Sequence, residues 1–127
     1  MAKTSSVEIQ MADILDTVSK RVKGVLETDS SLVARETAQK LRNTSPKGSP
    51  HLRGYAEGWR ASKRGGRSDF VVHNATNYQL THLLENSHLI VNEKGTYGRT
   101  TPIKHIKPAE EWASNELPRK VMEDLKL

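Results

Sequence analysis

The residues with the best claim to chemistry lie in the second half of the chain, where His82, Glu85 and His88 form a His-x-x-Glu-x-x-His string and His105 offers a third imidazole. Imidazole nitrogens and a carboxylate are the ligand types of zinc, and an open coordination position would turn such a set into a water-activating hydrolase centre. The spacing disfavours that reading. His82 and Glu85 share a helical face, but His88 lies six positions from His82, about 600° of helical rotation, and points elsewhere. Zinc proteases instead place two histidines four apart. Glu110 and Glu111 are adjacent, so on a helix their carboxylates diverge by about 100° and cannot work as an acid/base pair. They read as charges at the start of a helix, where the positive end of the dipole favours carboxylates, with Pro108 suited to the first helical turn. No nucleophile elbow, phosphate-cradling loop or dinucleotide fingerprint accompanies them. With no cysteine in the chain, disulfides and thiolate chemistry are excluded. We therefore expect no enzyme activity, no cofactor and no metal.

A second candidate is electrostatic. The net charge is +5, and Arg60, Lys63, Arg64 and Arg67 cluster around Gly65-Gly66. Clustered cations release counterions from phosphates, the signature of sequence-independent DNA binding. Over the whole chain 20 basic residues are interspersed with 15 acidic ones, so a solvated turn is the simpler reading of the cluster.

Those residues need elements to position them. In a chain of 127 residues, only 35% hydrophobic with six aromatics, one domain is expected, with a core lean enough that a partner would help to complete it. No run approaches the ~20 apolar residues of a membrane helix, and the first six residues lack a signal peptide's apolar stretch, so a cytoplasmic product without membrane contact is expected. Met11, Ile14, Leu15, Val18, Val22, Val25 and Leu26 recur at helical spacing. They predict an amphipathic helix over about 7 to 27 whose stripe packs in the core. Thr28-Asp29-Ser30-Ser31 starts a second helix or bends one long one, which stops near Ser45 before Pro46. After a loop over 46 to 54, Tyr55 to Lys63 and Ser68 to Asn74 flank Gly65-Gly66 as an antiparallel hairpin. Trp59 is expected to pack on the helices, an exposed oligomer contact being the competing placement. Tyr78, Leu80, Leu83 and Leu84 predict a short helix ending near Asn86-Ser87. Leu89 to Thr101 reads as a long excursion with an apolar base, Leu89, Ile90 and Val91, and a polar tip. A third strand near Pro102 to Ile106 and a C-terminal helix kinked or restarted at Pro118 complete the chain. The fold class is α+β: N-terminal amphipathic helices on a small antiparallel sheet, a short middle helix, a long loop or arm, and a C-terminal helix.

Three blocks of sequence carry a family resemblance. Thr44-Ser45-Pro46-Lys47 is followed by Leu52-Arg53-Gly54-Tyr55-Ala56-Glu57-Gly58-Trp59; the middle block is Asn77-Tyr78-Gln79-Leu80-Thr81-His82-Leu83-Leu84-Glu85-Asn86-Ser87-His88; the last is Pro102-Ile103-Lys104-His105-Ile106-Lys107-Pro108-Ala109-Glu110-Glu111. In order and spacing over about residues 10 to 125, the chain resembles the neck or head-tail joining proteins of long-tailed phages, the Hong Kong 97-type gene-ten morphogenesis family, also called tail-completion or minor capsid proteins. It departs from the family at Ser87, where glycine is common, and at Gly48-Ser49-Pro50-His51, where a short Thr-Gly turn is more frequent.

The resemblance implies a structural virion component in the neck, assembled in the host cytoplasm. It implies a ring around the DNA channel, six copies or alternatively twelve, between head-side connector or stopper proteins and the tail terminator or tail tube protein, with DNA only as passing cargo. On that reading Tyr78, His82, Leu83, Glu85 and His88 lock the short helix against the sheet, with His105 and Glu110 or Glu111 as polar partners. Leu89, Ile90, Val91, Tyr97 and Arg99 are the expected subunit or ring contacts.

Overall fold

The computed structural model describes residues 7–65, 69–86, 89–92 and 95–126. A single helix, α1, runs unbroken over Val7–Thr44. The Thr28 to Ser31 stretch, read as a boundary or bend, is helical throughout, because it is packed against other elements and tertiary contact overrides weak propensity. Pro46 still sets the end: Ser45 donates its amide and its hydroxyl to the Leu41 carbonyl, and the helix stops there.

Two short 3₁₀ turns, Pro50–Leu52 and Ala56–Gly58, lead into an antiparallel hairpin of β1 (Trp59–Lys63) and β2 (Phe70–Asn74). Its register pairs Trp59 with Asn74 and Lys63 with Phe70. The helix α2 spans only Leu80–Glu85. The stretch read as an unstructured excursion forms a second hairpin, β3 (Leu89–Asn92) and β4 (Gly95–Arg99), separate from the first. Its register shifts by one residue between Leu89 and Val91, and Gly98 at φ 108° supplies the backbone freedom that such a shift requires. Residues 102 to 105 form no strand; the chain passes directly into α3 (Ile106–Leu125). Pro118 does not interrupt α3. Pro118 and Ser114, whose carbonyl loses its helical donor, both lie on the exposed side of the helix.

The helices α1 and α3 form the largest contact in the fold. They run antiparallel, since Ala109 packs in the same cluster as Ala38 and Leu41 while Arg21 donates to the Leu125 carbonyl at 3.0 Å. Ala38, Leu41, Tyr55, Trp59 and Ala109 make the core, extended by Val72, Leu80, Leu84 and Ile106. Gly58 is dictated by packing: a Cβ there would lie 2.1 Å from the Thr76 hydroxyl and 2.7 Å from Asn74 Oδ1.

Candidate functional site

Where the chemistry was sought, the structure builds a structural joint. Glu85, the last residue of α2, is mostly buried, and its carboxylate faces the first turn of α3. Oε1 accepts the amides of His105 and Ile106, both at 2.9 Å, and Oε2 accepts that of Lys107 at 3.0 Å. Since Pro108 at the next position has no N–H, these are all the amides left unsatisfied at the start of α3. Burial pushes the Glu85 carboxyl up, but the three amides and nearby His105 outweigh it and hold the group below its ordinary range. The dipole-neutralising role expected of Glu110 and Glu111 thus belongs to a carboxylate from another element. Those two glutamates are exposed further along α3, and Pro108 lies in its first turn.

His105 is buried in the same joint. The Ile103 carbonyl, 2.8 Å from Nδ1, can only accept, so Nδ1 carries a hydrogen; Glu85 Oε1 lies 3.1 Å from that nitrogen. The other ring nitrogen is 2.6 Å from the Tyr55 hydroxyl. In the neutral ring Tyr55 donates to it. Burial, and then the Glu85 charge, push the Tyr55 phenol up to about 12. Tyr55, Trp59 and His105 meet edge to face, with centroids 5.6 to 6.3 Å apart. Trp59 donates its indole N–H to Ser45 Oγ at 2.8 Å, and Arg42 grips the Trp59 carbonyl with two nitrogens. Trp59 therefore packs in the core, and the alternative of an exposed contact is overturned.

The metal string is not assembled. His82 is exposed, Glu85 is committed to backbone amides, and His88 lies outside the described residues. Among the described residues no group of three histidines or carboxylates could hold a metal ion. The locking role given to Tyr78, His82 and Leu83 is also corrected: all three are exposed, Tyr78 at 67%. On so short a helix only one face reaches the core, and Leu80, Leu84 and Glu85 occupy it. In the basic cluster, Arg60 is held by the Glu57 and Trp59 carbonyls and Lys63 Nζ lies 2.5 Å from Glu27, leaving Arg64 exposed. Arg67 lies outside the described residues. Leu89, Ile90, Val91, Tyr97 and Arg99 contribute their backbones to the second hairpin, where Arg99 is exposed; the side chains of the other four lie outside the described structure.

The largest correction concerns the N-terminal stripe. Met11, Ile14, Leu15 and Val18, expected in the core, are exposed, as are Val7 at 68% and Leu26 at 38%. Length is the reason. The 38 residues of α1 reach about 57 Å, whereas the 20 residues of α3 cover only about 30 Å of it. Arg21 meets the last turn of α3, so residues 7 to 20 project past it by about 20 Å. Val22 and Val25, at the edge of α3, are half-covered.

Two groups escaped sequence reading. Asn74 clamps the first hairpin: its Nδ2 donates to the Tyr55 carbonyl at 2.7 Å, and its Oδ1 accepts the amide of Asn77 at 2.8 Å. Asp29 is only 2% exposed, and its Oδ2 has no partner among the described residues. Burial, followed by the adjacent Asp124 carboxyl in the last turn of α3, raises its pKa. Its place between Leu26 and Val33 in an apolar row was a readable signal.

No protein-family model, no curated protein and no solved structure matches the chain.

Proposed function

We propose that this chain is a structural subunit of a tailed bacteriophage, forming a ring in the virion neck that joins the head-side connector to the tail. The observation that carries the reading is the uncovered stripe of Val7, Met11, Ile14, Leu15 and Val18 on a helix projecting beyond its own domain. Large apolar side chains ordered along one face in water mark a surface made to be covered by protein. The three sequence blocks supply the identity of the assembly: they resemble head-tail joining proteins in order and spacing. Head-to-tail contacts between identical subunits close into rings when the rotation closes, six copies being favoured here and twelve the alternative. The role is assembly rather than catalysis, consistent with a His82, Glu85 and His105 region whose carboxylate and buried imidazole are consumed in holding α2 to α3.

Native mass spectrometry with electron microscopy, on purified protein alone and with neighbouring connector and tail proteins, tests the reading. Rings, alone or with those partners, are expected. A protein that stays monomeric and fails to incorporate wherever connector and tail assemble would overturn it.

A further inference from the structure

The net charge of +5 is not spread evenly over the fold. Two stretches, residues 37 to 56 and 94 to 109, hold eight cations and no carboxylate: Lys40, Arg42, Lys47 and Arg53 in the first, Lys94, Arg99, Lys104 and Lys107 in the second. The other 91 residues carry twelve cations against fifteen carboxylates, so the charge divides into +8 and −3. In sequence the two stretches are separated by 37 residues. The antiparallel packing of α1 and α3 brings them to one end of the molecule, where Ala38 and Leu41 of α1 share a core cluster with Ala109 in the first turn of α3. Glu85, the carboxylate that α2 brings to this end, is turned inward to three amides. Glu57, Glu110 and Glu111 stand at the margins of the two stretches.

We infer that this end of the subunit, through Lys47, Arg53 and Lys107, binds the phosphate backbone of double-stranded DNA without reading its sequence. This rests on the neck reading, in which duplex DNA is the polyanion that passes the subunit. Arg42 is bound to the Trp59 carbonyl, Lys40 lies over the Trp112 ring, and Lys104 Nζ is 3.4 Å from Asn86 Oδ1. Lys47, Arg53 and Lys107, by contrast, are exposed and form no ion pair among the described residues. Like charges gathered without counter-charges repel one another, and a polyanion relieves that repulsion while releasing its own condensed counterions. Duplex DNA, with one charge per ~1.7 Å of axis, is the densest such partner. Lysine is depleted in interfaces between proteins, which disfavours an acidic protein face as the occupant. Single strands are held by stacking on successive aromatic rings. Among the described residues Tyr78 is the only exposed Phe, Trp or Tyr. The surface is distinct from the β1–β2 turn, where Arg60 is held by backbone carbonyls and Lys63 by Glu27.

Fluorescence anisotropy with a labelled duplex of arbitrary sequence, between about 50 and 200 mM KCl, reads the contact. The full chain should bind with a steep salt dependence. The combined variant Lys47→Ala, Arg53→Ala and Lys107→Ala should lose about three units of the slope of log affinity against log salt, and bind about 100-fold more weakly at 0.1 M. Its thermal unfolding should stay close to wild type, because all three side chains are exposed. Arg60→Ala with Arg64→Ala, on the other surface, should leave the slope within about half a unit of wild type. A slope unchanged in the triple variant, or lost in the hairpin variant instead, would overturn the inference. So would displacement of the duplex by polyglutamate at equal charge, which would mark a face for an acidic protein, or by a single-stranded oligonucleotide. Rings that assemble with connector and tail proteins yet bind no duplex would overturn it and leave the neck reading standing. A monomer that never joins a ring but binds duplex with the expected slope would support this surface and remove the neck reading.

Discussion

The Glu85 carboxylate, at the end of a six-residue helix, accepts the amide of Ile106 at 2.9 Å and so serves as the N-terminal cap of a helix that starts 21 residues later. The residue at the cap position of α3 is His105, whose side chain makes no capping bond. It turns inward to Tyr55 and Ile103 instead. A capping role normally supplied locally is thus transferred to a distant carboxylate. Through it α3 is tied to the middle of the chain.

Removal of this cap should be costly and pH-dependent. Glu85→Ala leaves three amides unsatisfied in a partly buried site, a loss of about 2 kcal/mol at neutral pH. The folded-state pKa of Glu85 is lowered from its ordinary 4.5. Its contribution is therefore fully present above 4.5 and disappears as pH falls through the lower folded value. Urea denaturation of wild type and variant should show a gap at pH 7 that narrows below pH 4.5. A gap unchanged at pH 3 would show that the charge of the carboxylate contributes nothing.

The two tryptophans should separate. Trp59 is 3% exposed, its ring packed on Tyr55 and His105 and its N–H donated to Ser45. Trp59→Ala should cost about 3 to 5 kcal/mol, enough to unfold a small domain. Trp112 is half-exposed on α3, with Lys40 Nζ 4.5 Å from its ring centroid. Trp112→Ala should cost less than about 2 kcal/mol, part of it from the lost cation–π contact. Chemical denaturation of both variants checks the order, and equal losses would refute it.

How much was legible follows from which signals are local. The helical period over 7 to 45, the halt at Pro46 and the Gly65-Gly66 hairpin are written in short-range pattern, and the α+β class followed from them. Periodicity marks which face of a helix is apolar but not what covers it. Met11 to Val18 were therefore assigned to a core that α3 is too short to reach. The pairing of His105 with Glu85 was among the partners considered, because both lie in the conspicuous blocks. The geometry that makes Glu85 a cap depends on a 20-residue separation that no local pattern encodes. Asn74 had no signal at all, since an asparagine at a strand end reads as turn chemistry.

Asp29 predicts a stabilising substitution. Its carboxyl is buried beside that of Asp124, and its folded pKa is raised from 3.8. A raised carboxyl pKa means that the protonated group favours folding fully below 3.8 and that this contribution is lost as pH rises through the folded value. At neutral pH the residue is therefore a liability. Asp29→Asn, similar in shape and uncharged, should raise the melting temperature by about 3 °C or more at pH 7, with the gain vanishing near pH 3. A variant less stable at pH 7 would mean that the ionised carboxylate has a favourable partner.

The second hairpin should be the least protected part of the described backbone in a free subunit and should gain protection on assembly. Residues 89 to 101 were expected to form an arm with no structure of its own, and the strand pairing of Leu89 with Arg99 and Asn92 with Gly95 corrects that. Pairing alone does not make the hairpin stable. Its two strands form a separate sheet, with few contacts to the helices, and an isolated two-stranded hairpin is marginal in water. Its register shift and the positive φ angles of Gly95 and Gly98 add backbone entropy to be lost on folding. Opening should therefore cost far less than for the α1 segment carrying Val33, Ala38 and Leu41, which can exchange only by global unfolding. Amide hydrogen exchange should find residues 89–92 and 95–99 exchanging orders of magnitude faster than 33–41 in the monomer and, on the proposed ring reading, slowing on assembly as a neighbouring subunit or adjoining ring covers them. Deleting 92 to 98 should leave the monomer's melting temperature within about 2 °C, since few core contacts are lost, while reducing incorporation into necks. Protection equal to that of 33–41 in the monomer would place the hairpin within the cooperative unit, and full assembly after the deletion would remove it from the joining mechanism.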